Sequence, residues 1–174
     1  TTGNCVDGYC CESSCTGACL ACSAAKTGGT NGACANIPAS TDPDADCTGG
    51  LTCDGAGACR TACTADAQCE SGYYCTASSG GSCASRKANG TACSGDSIDT
   101  TGNHQCTTGN CADGYCCDSS CAGLCQGCAA AKTGGTSGAC GNVTANTDPD
   151  AECAGGLTCD GAGACRTGCA ADAQ

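Results

Sequence analysis

The sequence contains no phenylalanine, tryptophan or methionine, and its only aromatic residues are four tyrosines. Aromatic side chains bury the largest areas in a protein core, about 150–250 Å2 each. Their scarcity in a chain of 174 residues excludes an ordinary hydrophobic core. No apolar run approaches the roughly 18 residues that a membrane-spanning helix requires, so we expect no membrane span.

Basic residues are also scarce. Six lysines and arginines stand against seventeen acidic residues, which gives a formal net charge of -11. Binding of nucleic acid requires a basic stripe, and binding of single strands also requires aromatic platforms. Both are missing, so the sequence excludes nucleic acid as a partner. An acidic surface instead favours solubility and attracts divalent cations.

The chain has a single histidine, His104, which restricts the catalysis that it can perform. We expect this residue to be mobile, because the stretch 94–104 is the loosest part of the sequence. A catalytic triad needs a histidine that is held in place, and a bridged cysteine is not a nucleophile. There is also no glycine-rich phosphate loop between a strand and a helix. We therefore predict that the protein is not an enzyme and has no catalytic residues.

What the sequence has in abundance is cysteine, at 27 residues, and the cysteines belong to a tandem repeat. Residues 1–68 and 107–174 align without a gap at an offset of 106 and differ at 16 positions. We predict two domains on this basis. Residues 1–106 form a disulfide-rich repeat unit, and residues 107–174 form a partial second unit that is truncated at the match of residue 68.

The cysteine count indicates how the repeats close. Residues 1–106 contain 16 cysteines, which eight disulfides would use completely. The odd total usually indicates a free thiol. We favour instead an excerpt of a longer array, or a protomer whose ends pair with its neighbours. Unpaired cysteines are then expected near the two ends, where the matches of Cys69 and Cys106 are missing, and not in the middle near Cys34 or Cys47.

A metal-thiolate interpretation competes with disulfides. Cys19 and Cys22, like Cys125 and Cys128, have the C-x2-C spacing of zinc and iron-sulfur ligands. A zinc array would also need histidines, and the C-x-C spacing typical of metal-thiolate proteins is absent. Disulfides are favoured, and they persist in oxidising compartments outside the cytosol. The pairing stays open, because 16 cysteines allow too many combinations.

The predicted fold class is a small disulfide-rich repeat protein with little regular secondary structure, in which short hairpins and helical turns stack linearly. Helical turns are predicted over residues 19–26, closed by Gly28 and Gly29, and over residues 64–68, opened by Thr64 as N-cap. Four Asp-Gly steps provide turn chemistry between cysteines and predict short hairpin-like pieces around them. They are Asp7-Gly8, Asp54-Gly55, Asp113-Gly114 and Asp160-Gly161.

The cysteine spacing between Cys63 and Cys128 carries a resemblance. Cys63, Cys69 and Cys75 follow C-x5-C-x5-C, and the stretch from Cys106 reads C-x4-C-x-D-G-x-C-C. This pattern resembles the cysteine-rich repeats of secreted and surface proteins of myxobacteria and similar environmental bacteria. The resemblance implies an exported, disulfide-rich surface protein and implies no active site. The first spacing is also similar to colipase-like and EGF-like knots, which is an analogy of architecture alone.

The strongest candidates for ligand binding are two acidic stretches, residues 41–46 and 147–152, in which carboxylates recur at every second position. Calcium takes six to eight oxygen ligands, including backbone carbonyls, so these loops predict calcium as a cofactor. A solvated acidic turn is the alternative interpretation. The predicted ligands are Asp42, Asp44, Asp46, Asp148, Asp150 and Glu152. The candidates to complete the sites are Asp54 and Asp160, or Asp7 and Asp113.

These features predict an extracellular or cell-surface structural repeat protein that forms or belongs to a disulfide-stapled, calcium-binding fibre or appendage. Its expected partners are neighbouring copies of the same repeat, in the same chain or in a homopolymer. The alternative is an adhesin stalk or a knot-like binding or inhibitor module. Two sequons permit N-linked glycans. They begin at Asn89 and Asn142.

Overall fold

The computed structural model describes residues 3–168. The chain divides into two compact units, residues 1–85 and residues 86–174. The sequence repeat restarts at residue 107, so the second unit begins with the segment 86–106 ahead of the second copy of the repeat.

Regular structure in the described part is confined to very short pieces, as the sequence predicts. The strands pair consecutively as five antiparallel two-stranded ribbons: β1 with β2, β3 with β4, β5 with β6, β7 with β8, and β9 with β10. Their bounds are β1 Asn4–Val6, β2 Tyr9–Cys11, β3 Leu20–Ala21, β4 Ala35–Asn36, β5 Tyr73–Cys75, β6 Cys83–Ser85, β7 Cys111–Ala112, β8 Tyr115–Cys116, β9 Gln126–Gly127 and β10 Gly141–Asn142.

The helical elements are shorter than the sequence predicts. Helix α1 covers Ala24–Thr27 and helix α2 covers Ala130–Thr133. Residues 19–26 are therefore only partly helical, because Leu20 and Ala21 pair as strand β3 with β4. The predicted stop is confirmed, since Gly28 ends α1 in the left-handed conformation at φ 72°. Three 3-10 turns complete the set: Asp66–Gln68, Asn103–Gln105 and Ala154–Gly156.

The predicted cap at Thr64 is wrong. The 3-10 turn begins after Ala65, and no side chain caps its start. The Thr64 amide donates to the Gln68 side-chain oxygen at 2.7 Å, so the glutamine at the end of the turn reaches back to its start.

The four Asp-Gly turns are confirmed. Asp7-Gly8 joins β1 to β2 and Asp113-Gly114 joins β7 to β8. The other two steps open loops between bridge-paired cysteines, Cys53 with Cys59 and Cys159 with Cys165.

A module of four disulfides occurs in both copies of the repeat with one connectivity. In the first copy the bridges are Cys11–Cys22, Cys15–Cys34, Cys19–Cys53 and Cys47–Cys59. In the second copy they are Cys117–Cys128, Cys121–Cys140, Cys125–Cys159 and Cys153–Cys165, each displaced by 106 residues. The same sequence pattern thus closes in the same way twice.

Four further disulfides occupy the region between the two modules. They are Cys63–Cys75, Cys69–Cys83, Cys93–Cys111 and Cys106–Cys116. The last two join residues on opposite sides of position 106/107, where the sequence repeat restarts. The eight disulfides predicted per 106 residues therefore close between Cys11 and Cys116.

The core of each module consists mainly of sulfur. In the first copy Ile37 lies fully buried against Cys19, Cys47 and Cys53. In the second copy Val143 takes the place of Ile37 among the corresponding half-cystines. The backbone secures this aliphatic residue, since the Ile37 amide donates to the Cys19 carbonyl at 2.9 Å. A single branched side chain and two disulfides thus replace the aromatic core that the composition excludes.

The segment 94–104 is not loose, which corrects the sequence prediction. Asp96 accepts hydrogen bonds from the amides of Ile98 and Asp99 at 2.9 and 3.0 Å. Its other oxygen lies 2.7 Å from the His104 ring, whose side chain is only 8% exposed. The sequence of this segment is a run of small polar residues, but the hydrogen bonds to the Asp96 carboxylate close it into a defined loop.

Candidate functional site

The acidic loop of each copy is closed by its first aspartate. Asp42 accepts hydrogen bonds from the amides of Asp46 and Cys47 at 3.1 and 2.9 Å. Asp148 does the same for Glu152 and Cys153, both at 3.0 Å. The carboxylate therefore folds the loop back on itself directly before a half-cystine that the Cys47–Cys59 bridge, or its counterpart, holds in place.

The second aspartate of each loop binds a lysine that sequence reasoning missed. Lys26, at the end of α1, donates to both Asp44 and Asp7. Asp7 also accepts a hydrogen bond from the Cys22 amide at 2.8 Å, so the lysine connects the β1–β2 turn to the acidic loop. Lys132 connects Asp113 and Asp150 in the same way in the second copy.

The pKa values reflect this arrangement. The hydrogen bonds that Lys26 donates to Asp44 and to Asp7, the first having the larger effect, raise the pKa of Lys26 above 10.5. The lysine, followed by the Cys22 amide, lowers the pKa of Asp7 below 3.8. In the second copy burial opposes charge on Lys132, but the two aspartates outweigh it and its pKa is also raised. Lys26 and Asp7 are therefore both charged at neutral pH, as are Lys132 and Asp113.

The sequence contained one signal for this lysine. The string AAKTGG occurs in both copies at the same register, and its lysine is one of very few cations in the chain. Nothing local in the sequence brings Lys26 and Asp44 together, because the disulfide pairing that does so cannot be read from spacing.

The donor set fits calcium poorly. In each loop one carboxylate already accepts two backbone amides and the next is paired with an ammonium group. The last position is exposed in both copies but differs in its contacts, since Glu152 accepts a hydrogen bond from the Cys125 amide at 2.7 Å and Asp46 does not reach the corresponding Cys19 amide. The loops hold their shape through protein contacts, and an arriving cation would compete with lysine for Asp44 or Asp150.

The aspartates predicted to complete the calcium sites are also engaged in hydrogen bonds or ion pairs within the protein. Asp54 accepts from the amides of Ala56 and Ala58 at 2.7 and 3.1 Å, which lowers its pKa and closes its own turn. Asp160 repeats these contacts in the second copy. Asp7 and Asp113 belong to the lysine bridges. Each of these aspartates thus has a structural contact within its own copy.

Close groups of sulfur atoms exist, but they are disulfides. The Cys19 and Cys47 sulfurs lie 3.5 Å apart because the Cys19–Cys53 and Cys47–Cys59 bridges pack against each other. The C-x2-C cysteines Cys22 and Cys128 are bridged too, as are Cys19 and Cys125. The preference for disulfides over thiolate ligands is confirmed for the four C-x2-C cysteines.

The ring of His104, the chain's single histidine, lies 2.7 Å from the Asp96 carboxylate. Burial opposes charge on Asp96, but the amides of Asp99 and Ile98 and the side chains of His104 and Gln105 outweigh it and lower its pKa. Asp96 and His104 lie inside the closed loop 94–104, and their contact helps to hold the backbone of that loop in place.

Among residues 3–168 two cysteines are free, Cys5 and Cys10, and both are exposed. They lie opposite each other on β1 and β2, near one end of the sequence, where unpaired cysteines were expected. Cys34 and Cys47, the residues that would have counted against eight bridges, are both bonded. Cys169, the expected unpaired residue at the other end, lies outside the described residues.

No helix in the described range is long and apolar enough to cross a membrane. Searches against protein-family models, curated proteins and solved structures find no match to the chain. The chain's two copies are therefore the comparison from which its function is inferred.

Proposed function

We propose that the chain is part of an extracellular structural repeat protein, a disulfide-stapled fibre or cell-surface appendage. The observation that supports this proposal is the recurrence of the disulfide pattern. The four-bridge module recurs with one connectivity, and Cys93–Cys111 and Cys106–Cys116 carry covalent bonds from one copy of the repeat into the next. Within residues 11–83 and again within residues 93–165, the chain is stapled at short intervals by bonds that only an oxidising environment maintains.

The energetics suit a structural role. Each native disulfide in a small domain contributes about 2–4 kcal/mol, mainly by restricting the unfolded chain. Stability of this origin needs no large core, so the repeat can be added many times without burying aromatic side chains. The net charge of -11 keeps neighbouring molecules apart in solution.

Electron microscopy tests the proposal. Protein carrying this repeat, purified without reductant, should appear in negative stain as uniform elongated particles or filaments that survive boiling. The same preparation boiled with reductant should lose them. Discrete compact particles under non-reducing conditions would overturn the proposal and favour a soluble binding or inhibitor module.

Calcium binding by the acidic loops stays a prediction, and Lys26 allows a sharp test of it. A ligand that binds only the folded form raises the melting temperature by mass action. If calcium binds the loop, the melting temperature in calcium exceeds that in EGTA, and Lys26→Met enlarges the difference by freeing Asp44. Equal melting in calcium and EGTA for both proteins would reduce the loops to lysine-bridged turns.

A further inference from the structure

The β1–β2 hairpin and the β7–β8 hairpin are the same element in the two copies, yet among residues 3–168 only the β7–β8 hairpin is covered by another segment. Cys111 and Cys116 lie opposite each other and are bonded to Cys93 and Cys106. Cys5 and Cys10 lie opposite each other in the same register, and both are free thiols. The difference between the copies therefore shows what the first hairpin can accept.

The segment that covers the second hairpin binds it through the backbone as well. The Cys116 amide donates to the Thr91 carbonyl at 2.9 Å, and the Gly90 amide donates to the Cys116 carbonyl at 2.8 Å. The Cys93 amide donates to the Gly114 carbonyl at 2.9 Å. Residues 90–93 thus lie along the outer edge of β8 and form one antiparallel β-bridge with it, between Ala92 and Tyr115, in the manner of β-augmentation. No described residue makes the corresponding bonds to Gly8 or Cys10.

The residues of the two hairpins differ in burial in the same way, since those of the covered hairpin are more buried. Cys116 is fully buried, whereas its counterpart Cys10 is exposed. Tyr115 pairs with Ala92, whereas its counterpart Tyr9 is 39% exposed. The first hairpin therefore presents an unpaired strand edge, an exposed aromatic ring and two thiols on one short element.

The surface beside the β1–β2 hairpin, at Gly32, has space for the backbone of a further segment. A Cβ atom built on Gly138 would lie 2.1 Å from the Gly90 amide nitrogen, because the covering segment runs directly over this glycine. On Gly32, the counterpart of Gly138, a Cβ would meet only the Cys10 carbonyl, at 3.2 Å. Above Gly32 the space that Gly90 occupies in the second copy is open.

We propose that the β1–β2 hairpin is a docking site for a segment of the same kind as residues 86–106, supplied by another copy of the repeat. The segment adds as a third strand and forms two disulfides. Its first cysteine, the match of Cys93, bonds to Cys5, and its second, the match of Cys106, bonds to Cys10. This inference deepens the proposed function, on which it rests for the oxidising surroundings, by naming the element that links one repeat to the next.

The covalent step balances with a small-molecule disulfide as oxidant. Each new bridge forms from one thiol of the hairpin and one thiol of the segment. Two electrons and two protons pass to the small disulfide, which leaves as two thiols.

A synthetic peptide tests the proposal on the full chain. The 21-residue peptide of sequence 86–106 is mixed with the protein in a glutathione redox buffer, and the disulfides are mapped by mass spectrometry. The expected product is a one-to-one adduct with two bridges, Cys93 of the peptide to Cys5 and Cys106 of the peptide to Cys10. A Cys5→Ser/Cys10→Ser protein reports any attack of the peptide on the other bridges.

A matched peptide carrying Gly90→Pro separates strand addition from simple oxidation. It keeps both cysteines, but proline has no amide to donate and cannot adopt the positive φ of 83° at this position. We expect about tenfold weaker adduct formation, the effect of losing roughly 1.4 kcal/mol of backbone hydrogen bonding.

Three results would overturn the docking proposal. They are an internal Cys5–Cys10 disulfide that excludes the peptide, random pairing of the four sulfurs, and equal yields from the two peptides. None of them would affect the filament test above, so failure of docking and failure of the structural role are distinguishable.

Discussion

At the scale of single residues, each copy of this acidic chain uses one lysine to hold two aspartates. Asp7 and Asp44 come from segments 37 positions apart in the sequence, and their like charges would repel without Lys26 between them. The lysine side chain is 25% exposed, so water screens the attraction and the contribution of each pair is modest. The bridge repeats with Lys132, which provides an internal control.

Replacing Lys26 by methionine should lower the free energy of unfolding by about 1 kcal/mol at low salt, since each partly exposed pair contributes about 0.5 kcal/mol. The pKa of Asp7 is lowered, so its contribution is present above pH 3.8 and is lost as the pH falls through the lower folded value. The pKa of Lys26 is raised, so its contribution is present below pH 10.5 and is lost as the pH rises through the higher folded value. Calorimetry of the wild type and the Lys26→Met variant across pH should show that the variant loses less stability than the wild type at the acid end and at the alkaline end.

Lys132→Met should reproduce this loss, and added salt should reduce the effect of both substitutions. A Lys26→Met protein that melts like the wild type at low salt would show that the Asp42 contacts alone hold the acidic loop.

Asp96 should be the residue on which the closed loop 94–104 depends. Asp96→Asn keeps the shape of the side chain but removes its charge, and hydrogen bonds to charged groups contribute about 1.5–3 kcal/mol. We expect amide exchange at Ile98 and Asp99 to become at least tenfold faster. In the wild type the protection factors of these two amides should fall as the pH drops from 3.8 through the lower pKa of Asp96 in the folded state, because protonation removes the contribution of the carboxylate.

Asp46→Asn is the control for this experiment, since Asp46 is exposed and lies on another loop. Unchanged exchange at Ile98 and Asp99 in Asp96→Asn would mean that packing of the glycines, and not the carboxylate, closes the loop. A Cβ on Gly95 would come within 2.0 Å of the Thr100 carbonyl, so that alternative has its own structural basis.

At the scale of elements, the sequence predicts local chemistry well and long-range pairing poorly. The Asp-Gly turns and the Gly28 stop depend on φ preferences of one or two residues, and the structure confirms them. The extent of the first helical turn was wrong because Leu20 and Ala21 pair with a strand some 15 residues later. The acidic loops were found from sequence, but their lysine partner was not, because disulfides determine which segments meet.

The two helices provide a natural comparison at a single position. Ser23 caps α1 by accepting the Ala25 amide at 3.3 Å, whereas α2 begins after Ala129 and has no side-chain cap. Ser23→Ala should cost about 0.5 kcal/mol and speed amide exchange at Ala25, and Ala129→Ser should slow exchange at Ala131. NMR exchange with the disulfides intact measures both.

The pair of substitutions should act in opposite directions within one molecule. If Ser23→Ala leaves exchange at Ala25 unchanged, the hydrogen bond from the Ala24 amide to Asn31 at 2.8 Å is sufficient to hold the helix start. The corresponding bond from Ala130 to Ser137 is longer, at 3.1 Å, which makes α2 the more sensitive helix to an added cap.

At the scale of the whole molecule, composition determines what kind of stability is available. Cysteine makes up most of the buried apolar residues, and the remainder are Ala21, Ile37, Tyr74, Ala129 and Val143. The composition therefore predicted that disulfides replace the core, while the pairing itself required the structure. The equal connectivity of the two copies follows from equal spacing, because the same loop lengths and turn residues bring the same cysteines together.

Alkylation of the denatured, non-reduced protein should then label only Cys5 and Cys10 among the cysteines of residues 3–168. Peptide mapping should return twelve bridges, of which eight form four matched pairs between the two copies. Reduction should unfold the chain without heat, because too little apolar surface remains to offset a chain entropy of about 1–2 kcal/mol per residue. Reduced, alkylated protein that keeps its amide protection would show that the polar loops fold unaided. Labelling of Cys19, Cys22, Cys125 and Cys128 together with bound zinc would restore the metal-thiolate interpretation.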